Sequence, residues 1–322
     1  MTLRELYELS IRLGMKHDLR GEAALLAQLE RRREEYELLP EWQQPFYDQE
    51  RFRNPYGDVR IARGPDDTEL TTVLLGVDIH IPELLLADRL REKGRRIDAV
   101  IAHHVHGVGR SAFLPHDFMT YDIDSLVAEG VNRSAAEALI LPYIEAKLAG
   151  MEDNHSRGPA VAELLDLPFA CIHTPADFYI SVGVQAALDE AKPATLADTI
   201  PALLTIPEIA SAATQLGALP RIFGASPERE VGRVFHKFGG GYIFPPSAYA
   251  LLGAAGVRTV FQIHCEPVYA EAAAAAGVAI VRVPHAAGDN IGLNLLLDDV
   301  EAELGALEVI GCGGFERHSR RA

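Results

Sequence analysis

Residues 72–104 read TVLLGVDIHIPELLLADRLREKGRRIDAVIAHH. The apolar run Thr72–Val77 predicts a buried strand, and Ile97–Ala102 predicts a second one. Between them, Pro82–Lys93 predicts a helix, because a proline opens it and Gly94 closes it. A strand, a helix and a strand in this order imply parallel strands covered by helices, so the stretch predicts an α/β fold.

The same alternation continues towards the C-terminus. Further strands are predicted at Phe169–Ile172, near Arg233–Phe235, at Arg258–Ile263 and at Val278–Val283. Further helices are predicted at Ser134–Leu148, Pro159–Leu165, Phe178–Glu190, Pro207–Leu216, Pro267–Ala276 and Asn290–Leu304. The unit 78–104 also resembles the unit 263–285, since both end a strand in histidine. Two related halves that meet at one site would explain this similarity.

The composition argues against several classes of protein. The net charge of −16 argues against a nucleic-acid or anionic-membrane partner, because such partners require a basic surface. The longest apolar runs reach about half the length that spans a bilayer, and Glu5 and Glu8 argue against a signal peptide. Three scattered cysteines form neither a disulfide framework nor a CxxC zinc motif. We therefore expect a cytoplasmic protein that acts on a small molecule.

Residues 1–65 show a different pattern. Apolar side chains recur at helical spacing in Thr2–Gly14 and Gly21–Leu38, among many charges. Pro40–Pro65 is rich in Pro, Asp, Asn and Gly, which predicts an irregular connection. We therefore expect residues 1–65 to form an N-terminal helical extension of the α/β fold.

Several of the twelve histidines follow the end of a predicted strand. Ligands of open α/β sheets collect beyond the carboxyl ends of the strands, and imidazole commonly binds zinc, iron, nickel and manganese. The histidines at these positions are His80, His103, His104, His106, His173, His264 and His285. These side chains are the candidate metal ligands and proton-transfer groups.

Three motifs carry most of this signal. The pair His103-His104 follows a strand directly, and both rings reach one site only if the chain turns there, because adjacent residues of a strand point to opposite sides. Asp177 follows His173 by four residues, and Asp289 follows His285 by four. Each motif alone has a simpler explanation: a surface histidine run for the first, and helix capping for the two aspartates.

Taken together, the motifs offer a mixed set of imidazoles and carboxylates. Such a set suits a pair of borderline divalent metal ions, with Zn, Fe, Mn and Ni as candidates. A metal pair of this kind activates water and polarises a carbonyl or phosphoryl oxygen. His173 and His264 are then candidates for acid–base catalysis.

Other residues are weaker candidates. His106, His155 and Glu266 could orient the ligands from outside the site. Backbone amides of Lys237–Gly241 could bind an anion, although a flexible turn is the simpler explanation for a glycine run.

The motifs also resemble a known family. Residues 76–104, 172–177 and 277–296 are similar, in this order, to three signatures of a dinuclear-metal family. The family is usually described as GTP cyclohydrolase I type 2-like, or NGG1p-interacting-factor-three-like. The similarity covers roughly residues 70–310, and its first signature is the most specific because a strand, a helix and a strand precede the two histidines.

The resemblance implies a ligand set and an architecture. The residues that match the family's metal ligands are His103, His104, Asp177, His285 and Asp289. The implied fold has two intertwined three-layer α/β/α halves with largely parallel or mixed sheets, 66–185 and 186–322, and the C-terminal strands and His285 can return to the first half. The resemblance further implies a homo-oligomer, commonly a hexamer.

The chain departs from the family pattern at three places. Val105 stands where a proline is usual after the two histidines. Pro284 and Asp289 stand where glycine and glutamate are usual around the late histidine. Gln262–His264 replaces a Thr-Gly-Glu turn, so an extra imidazole could take the place of a carboxylate. We therefore expect a divergent member, whose substrate need not be that of its relatives.

The sequence leaves alternative functions open. One is a metal-dependent hydrolase that acts on a nucleotide, an amide or a phosphoester. Another is a metal-binding regulatory or trafficking protein without catalytic turnover, which would need the same ligands. A third is a metal-free α/β protein in which the aspartates only cap helices.

Overall fold

The computed structural model describes residues 1–107, 119–149, 155–241 and 243–321. The strands in that part of the chain are β1 (Arg60–Arg63), β2 (Thr72–Gly76), β3 (Ala99–Ala102), β4 (Phe169–Cys171), β5 (Arg221–Phe223), β6 (Val234–Lys237), β7 (Thr259–Gln262), β8 (Ala279–Arg282) and β9 (Glu308–Cys312). The α-helices are α1 (Leu3–His17), α2 (Glu22–Glu37), α3 (Ile81–Glu92), α4 (Tyr121–Ala128), α5 (Arg133–Ala149), α6 (Arg157–Leu164), α7 (Thr174–Ala191), α8 (Leu196–Leu203), α9 (Pro207–Leu216), α10 (Ala248–Ala254), α11 (Pro267–Ala275) and α12 (His285–Leu304).

The strands form two sheets with the same underlying topology. The first sheet has the order β1-β4-β3-β2-β9, and the second has the order β5-β8-β7-β6. In each sheet the first strand along the chain is an antiparallel edge, and the following three strands are parallel. The C-terminal strand β9 then adds to the first sheet beside β2, in parallel. The predicted α/β fold with mixed sheets is confirmed.

This topology corrects the internal similarity seen in the sequence. The sequence pairs the unit β2-α3-β3 with the unit β7-α11-β8, but the position of the strands in the sheets pairs β2 and β3 with β6 and β7. The sequence pairing is therefore displaced by one strand. The reason is that any two strand–helix–strand units share the same apolar pattern, so pattern alone does not fix which units correspond.

Both faces of each sheet are buried, which gives each half three layers. In β2, Val73 and Leu75 belong to one core cluster and Leu74 to another. The first cluster also contains apolar side chains of α1, α7 and α12, and the second contains those of α3 and α6. Since both faces of the strand are covered, the strand reads as a continuous apolar run.

The two halves are interleaved along the chain. Helices α4 and α5 precede β4 of the first sheet, yet they share a core cluster with α10, α11 and one face of the second sheet. Helices α7 and α12 contribute to the cores of both sheets. None of the helices in the described ranges is both long enough and apolar enough to cross a membrane.

The N-terminal segment is helical, as predicted, and α1 is part of the first core. Thr2 and Glu5 form a capping box at its start, which satisfies the free N–H groups of the first turn. Its apolar face, including Leu3 and Leu6, is fully buried. Within the segment predicted to be irregular, Arg60–Arg63 instead forms β1, because pairing with β4 satisfies its backbone.

Helices α7 and α12 approach closely and join the two halves near their strand ends. Helix α7 starts just after β4 of the first sheet, and α12 starts just after β8 of the second. A Cβ atom at Gly292 would overlap the carbonyl oxygen of Ala176, so a glycine is required at this contact. The close approach brings Asp177 of α7 and Asp289 of α12 towards each other.

The start of α12 differs from the prediction. The helix begins at His285 instead of Asn290, with Pro284 as its N-cap. Asp289 therefore lies one turn inside the helix, four residues after His285, and the two side chains share a face. In α7 the N-cap is His173, and Asp177 lies in the first turn. Neither aspartate is the N-cap residue of its helix.

Candidate metal centre

The chain bends directly after β3, at His103 and His104. Both residues continue the backbone pairing with the end of β2, since their N–H groups donate to the carbonyl oxygens of Gly76, its last residue, and of Val77, the next residue. Their ring centroids are 5.2 Å apart. The bend is the turn that the sequence required, and it allows both side chains to reach one cluster.

Three histidines are anchored through Nδ1. Each Nδ1 lies close to an oxygen atom: His103 to the Ile172 carbonyl at 3.0 Å, His104 to Asp78 Oδ1 at 2.7 Å, and His173 to Asp58 Oδ2 at 2.8 Å. A carbonyl or an ionised carboxylate only accepts hydrogen bonds, so each Nδ1 carries a proton, and in the neutral rings of His103 and His104 the Nε2 keeps its lone pair. This tautomer is the one that metal-binding histidines adopt when a second partner orients them.

The free Nε2 atoms face two buried carboxylates. His103 Nε2 lies 3.4 Å from Asp177 Oδ1 and 3.7 Å from Asp289 Oδ1. His104 Nε2 and His285 Nε2 lie 3.8 and 3.5 Å from Asp289 Oδ2. The two oxygens of Asp289 therefore face different histidines.

The side chains form three overlapping groups in which one ligand atom from each residue lies within 4.8 Å of the others. The groups are His103, His104 and His173; His104, His285 and Asp289; and His103, Asp177 and Asp289. Each group has enough nitrogen and oxygen donors for a divalent transition metal.

Several buried atoms of this cluster are without a hydrogen-bond partner within the described residues. They include His103 Nε2 and both carboxylate oxygens of Asp289, whose residue is 1% exposed. Buried polar atoms are nearly always partnered, because an unsatisfied one costs about 1–3 kcal/mol. A metal ion would satisfy all three atoms, so the residues present fit the metal that the donor set suggests.

The pKa values of the histidines favour the coordinating form. Burial, and then the charge of His173, lower the pKa of His103 to about 3. Burial and the neighbouring histidines similarly lower the pKa of His104 to about 4 and that of His285 to about 3. These three imidazoles are therefore neutral near pH 7, the state in which histidine binds metals.

The pKa values of the two carboxylates and of His173 are raised instead, in the same crowded surroundings. Burial raises the pKa of Asp177 to about 6, and burial and then Asp177 raise that of Asp289 well above its ordinary value. Burial opposes protonation of His173, but Asp177 and Asp58 outweigh it and raise its pKa to about 9. Without a metal ion, the cluster thus holds protons where a cation would otherwise balance the carboxylates.

The cluster opens into a cavity that is continuous with solvent. His264 lies at its wall, with its ring centroid 4.5 Å from that of His285. Lys237 and Gly241 line the same cavity.

Comparisons with known proteins identify the family. No family model and no curated protein matches the sequence. Among solved structures, a NIF3 superfamily protein from Sphaerobacter thermophilus is 30% identical, with a TM-score of 0.68, over 81% of this chain and 93% of that one. This chain belongs to the NIF3 superfamily. The resemblance found in the sequence is confirmed.

Two further solved structures are more distant from this NIF3 superfamily protein. Reduced HcgD from Methanocaldococcus jannaschii is 13% identical, with a TM-score of 0.45, over 88% of this chain and 96% of that one. A Bacillus cereus protein related to NIF3 is 11% identical, with a TM-score of 0.40, over 80% of this chain and 91% of that one. Both TM-scores are too low to support a structural inference.

The structure of this NIF3 superfamily member brings the five residues of the predicted ligand set into one cluster. His173, for which the sequence suggested acid–base catalysis, lies in the same cluster, beside His103 and His104. His264 lies at the cavity wall and outside the three groups of ligand atoms.

The weaker candidates have different surroundings. The ring of His106 packs against Phe169 and His80. His155 and Glu266 are not among the residues that line the cavity in the described part of the chain. The glycine run after Lys237 has positive φ at Gly240 and Gly241, which is the turn-like backbone that the simpler explanation required.

Two residues of the site are missing from the sequence prediction, Asp58 and Asp78. Asp58 is fully buried and also accepts a hydrogen bond from Thr174 Oγ1 at 2.6 Å. It lies just before β1, and only the antiparallel pairing of β1 with β4 brings it to His173. Asp78 follows β2 within the first motif, but its spacing to His104 gives no local sign of contact.

Proposed function

We propose that this NIF3 superfamily protein holds two divalent metal ions and uses them to hydrolyse a small molecule. The observation that carries the proposal is the position of the Asp289 carboxylate. Its Oδ1 faces His103, and its Oδ2 faces His104 and His285. Asp289 would then be a ligand shared by two neighbouring cations.

The remaining ligands divide between the same two positions. His104, His285 and Asp289 would hold one ion, and His103, Asp177 and Asp289 would hold the other. His173 stands beside both positions, with its Nδ1 proton held by Asp58 and its Nε2 4.0 Å from Asp177 Oδ2. We infer that His173 completes the ligand set and that Zn, Fe, Mn and Ni remain the candidate ions.

When bound, a metal pair supplies activated water and polarises the oxygen at the reacting bond. The chain itself must bind the substrate and move protons. Burial, and then the charge of Lys237, lower the pKa of His264, so this ring is neutral near pH 7 and accepts a proton. We therefore propose His264 as the acid–base residue, acting on a nucleotide, amide or phosphoester in the cavity.

Metal content and turnover test the two parts of this proposal separately. The protein is loaded with each candidate metal in turn, and the metal per chain is measured by mass spectrometry. We expect two equivalents for the parent, a loss of metal for His104→Ala, and two equivalents for His318→Ala, a histidine outside the cluster. One equivalent or none in the parent would contradict the metal pair.

The loaded protein is then screened against phosphoesters, nucleotides and amides, with His264→Ala as the comparison. We expect metal-dependent hydrolysis of at least one class and its loss in His264→Ala without loss of metal. A fully loaded parent that hydrolyses none of them would instead favour the regulatory or trafficking role.

We also propose that the chain forms a homo-oligomer, with a hexamer as the expected size, because the family resemblance implies it. Exposed apolar side chains support a contact between copies: Leu38, Trp42 and Phe46 are 84%, 69% and 81% exposed. Light scattering coupled to size exclusion gives the mass directly, and a monomeric mass would contradict the proposal.

A further inference from the structure

A buried lysine lies in the wall of the cavity that holds the metal-ligand cluster. Lys237 is the last residue of β6, and its side chain is 3% exposed. Its Nζ lies 2.8 Å from Asp122 Oδ1 and donates to the carbonyl oxygen of Gly239 at 2.5 Å. The ammonium also lies over the ring of Phe244, 5.1 Å from its centroid.

The ion pair of Lys237 and Asp122 has no obvious benefit for stability. Both side chains are almost completely buried, so both charges have lost most of their hydration. Replacing such a pair by apolar residues of similar size is often neutral or stabilising. A lysine kept at this position, in the same cavity as the candidate catalytic residues, is therefore a candidate for ligand binding.

The lysine has a donor left for a ligand. An ammonium group carries three protons; one is donated to Gly239, and the group forms its ion pair with Asp122 Oδ1 at 2.8 Å. Within the described residues no third acceptor contacts it. His264 lines the same cavity.

Charge separates this part of the cavity from the metal-ligand cluster. The cluster presents the carboxylates of Asp177 and Asp289, which a cation would neutralise. Lys237, which lines the same cavity, instead supplies a positive charge and hydrogen-bond donors. Charge-assisted hydrogen bonds to an anionic oxygen are roughly twice as strong as neutral ones.

Building on the proposed function, we propose that Lys237 binds an oxyanion of the substrate, beside the acid–base residue His264, while the metal-ligand cluster holds the reacting bond. The oxyanion is a phosphate or carboxylate oxygen, and it occupies the third donor position of Lys237. The substrate class is accordingly an anionic small molecule. Asp122 and Gly239 act as positioning groups that hold the ammonium at the cavity.

The test removes the ion pair without leaving one charge unpaired. The double variant Lys237→Met with Asp122→Leu keeps the site filled with apolar groups. The matched control is Arg233→Met with Glu129→Leu, because Arg233, just before β6, and Glu129, just after α4, form a second ion pair between the same two segments, at 2.6 Å. Metal content is measured first, and the affinities of inorganic phosphate and acetate are then measured by calorimetry.

We expect the parent, the double variant and the control to hold the same amount of metal. Phosphate or acetate affinity should fall by about tenfold to hundredfold in the double variant, the loss typical of one charged hydrogen bond, and by less than about twofold in the control. The probe with the larger loss shows whether the natural oxyanion is a phosphate or a carboxylate.

Two results would overturn the oxyanion site: equal affinities in the parent and the double variant, or a metal-loaded parent that binds neither probe. Loss of metal from the double variant would also contradict it, since Lys237 would then support the metal-ligand cluster. A parent without metal would overturn the proposed function, whereas phosphate binding that still depends on Lys237 would support the oxyanion site on its own.

Discussion

Helix α12 buries polar side chains in two regions with opposite hydrogen-bonding states. Near its start Asp289 is 1% exposed, and neither of its carboxylate oxygens has a hydrogen-bond partner among the described residues. Further along, Asn290, Asn294 and Asp298 are also buried, yet each is bonded to the segment Gly313–Arg321, here called the C-terminal tail. The polar side chains are buried to a similar extent in the two regions, but within the described part of the chain only those bonded to the C-terminal tail have hydrogen-bond partners.

The C-terminal tail lies along α12 and is held there by hydrogen bonds between side chains and backbone groups. The bonds, of 2.7–2.9 Å, join Asn290 to Gly314 and Glu316, Asn294 to Glu316 and His318, and Asp298 to Arg320. Arg320 also pairs with the buried carboxylate of Glu208 on α9. Polar groups that serve stability are partnered in this way.

The comparison separates two reasons for burying a polar residue. Asn290, Asn294 and Asp298 exchange hydrogen bonds to water for hydrogen bonds within the protein, so they contribute to stability. Asp289 loses its bonds to water and gains none in the metal-free chain, which lowers stability unless a ligand is bound. The unsatisfied region is therefore the candidate site for function, and substitutions in the two regions should have different effects.

The largest effect is expected for Asp289→Asn. The variant should lose at least one of the two metal equivalents, because it removes the carboxylate that faces both ligand groups. In the presence of a chelator the same variant should be more stable than the parent, because it no longer buries an acidic group. Metal analysis and urea unfolding measure the two effects. If Asp289→Asn kept both metal equivalents, Asp289 would not be a metal ligand, and the two regions of α12 would not differ in function.

The gain in stability should depend on pH. Burial, and then Asp177, raise the pKa of Asp289 in the folded chain. A raised pKa stabilises the fold below the unfolded value near 4, and this contribution is lost as the pH rises. The advantage of Asp289→Asn over the chelated parent should therefore grow from pH 5 to pH 8, by at most about 1.4 kcal/mol per unit. A constant difference across this range would contradict the assignment.

In the part of α12 that is bonded to the C-terminal tail, Asn294→Ala should lower the free energy of unfolding and leave the metal content unchanged. Asn294 is fully buried and bonds to Glu208, Glu316 and His318. Its removal leaves several of these groups unsatisfied, which should cost about 2–4 kcal/mol.

The control for this variant is Glu303→Ala on the same helix. Glu303 pairs with Arg12 across exposed surface, so its loss should change the free energy of unfolding by less than about 1 kcal/mol. If Asn294→Ala released metal as readily as Asp289→Asn, the two regions of α12 would not be functionally separate.

That the five residues of the proposed ligand set lie in one cluster could be anticipated from the sequence, because it depends on a general property of the fold. Parallel strands end at the same edge of a sheet, so histidines that follow β3, β4 and β8 had a reason to converge. The His–Asp spacing of four residues placed His285 and Asp289 on one helical face once α12 began at His285. Local pattern was sufficient to anticipate that these side chains lie close together.

The other residues of the site come together through long-range contacts between strands and helices, which no local sequence pattern predicts. Asp58 reaches His173 only because β1 pairs with β4 in antiparallel orientation. Lys237 meets Asp122 because α4, from the first half of the chain, packs against the second sheet. In both cases the two residues are more than a hundred positions apart in the sequence. Neither residue stands out from the pattern of its own segment.

The smallest effects are expected for the two aspartates that orient histidines, and they should differ from each other. Asp58 is completely buried, so water cannot replace its bond to His173 Nδ1. Asp58→Asn keeps the shape but removes the charge, and metal affinity should fall by about tenfold to hundredfold, as for other carboxylates behind a metal-binding histidine. The affinity is measured by competition with a chromogenic chelator.

Asp78 makes the same kind of bond to His104 Nδ1, but its side chain is 60% exposed. Water can take over the hydrogen bond in Asp78→Asn, so the loss of metal affinity should stay within about threefold. The order of the two losses follows from burial alone, because the bond lengths of 2.8 and 2.7 Å are nearly equal. Equal losses, or a larger loss for Asp78→Asn, would mean that charge near the metal ions matters more than the exclusion of water.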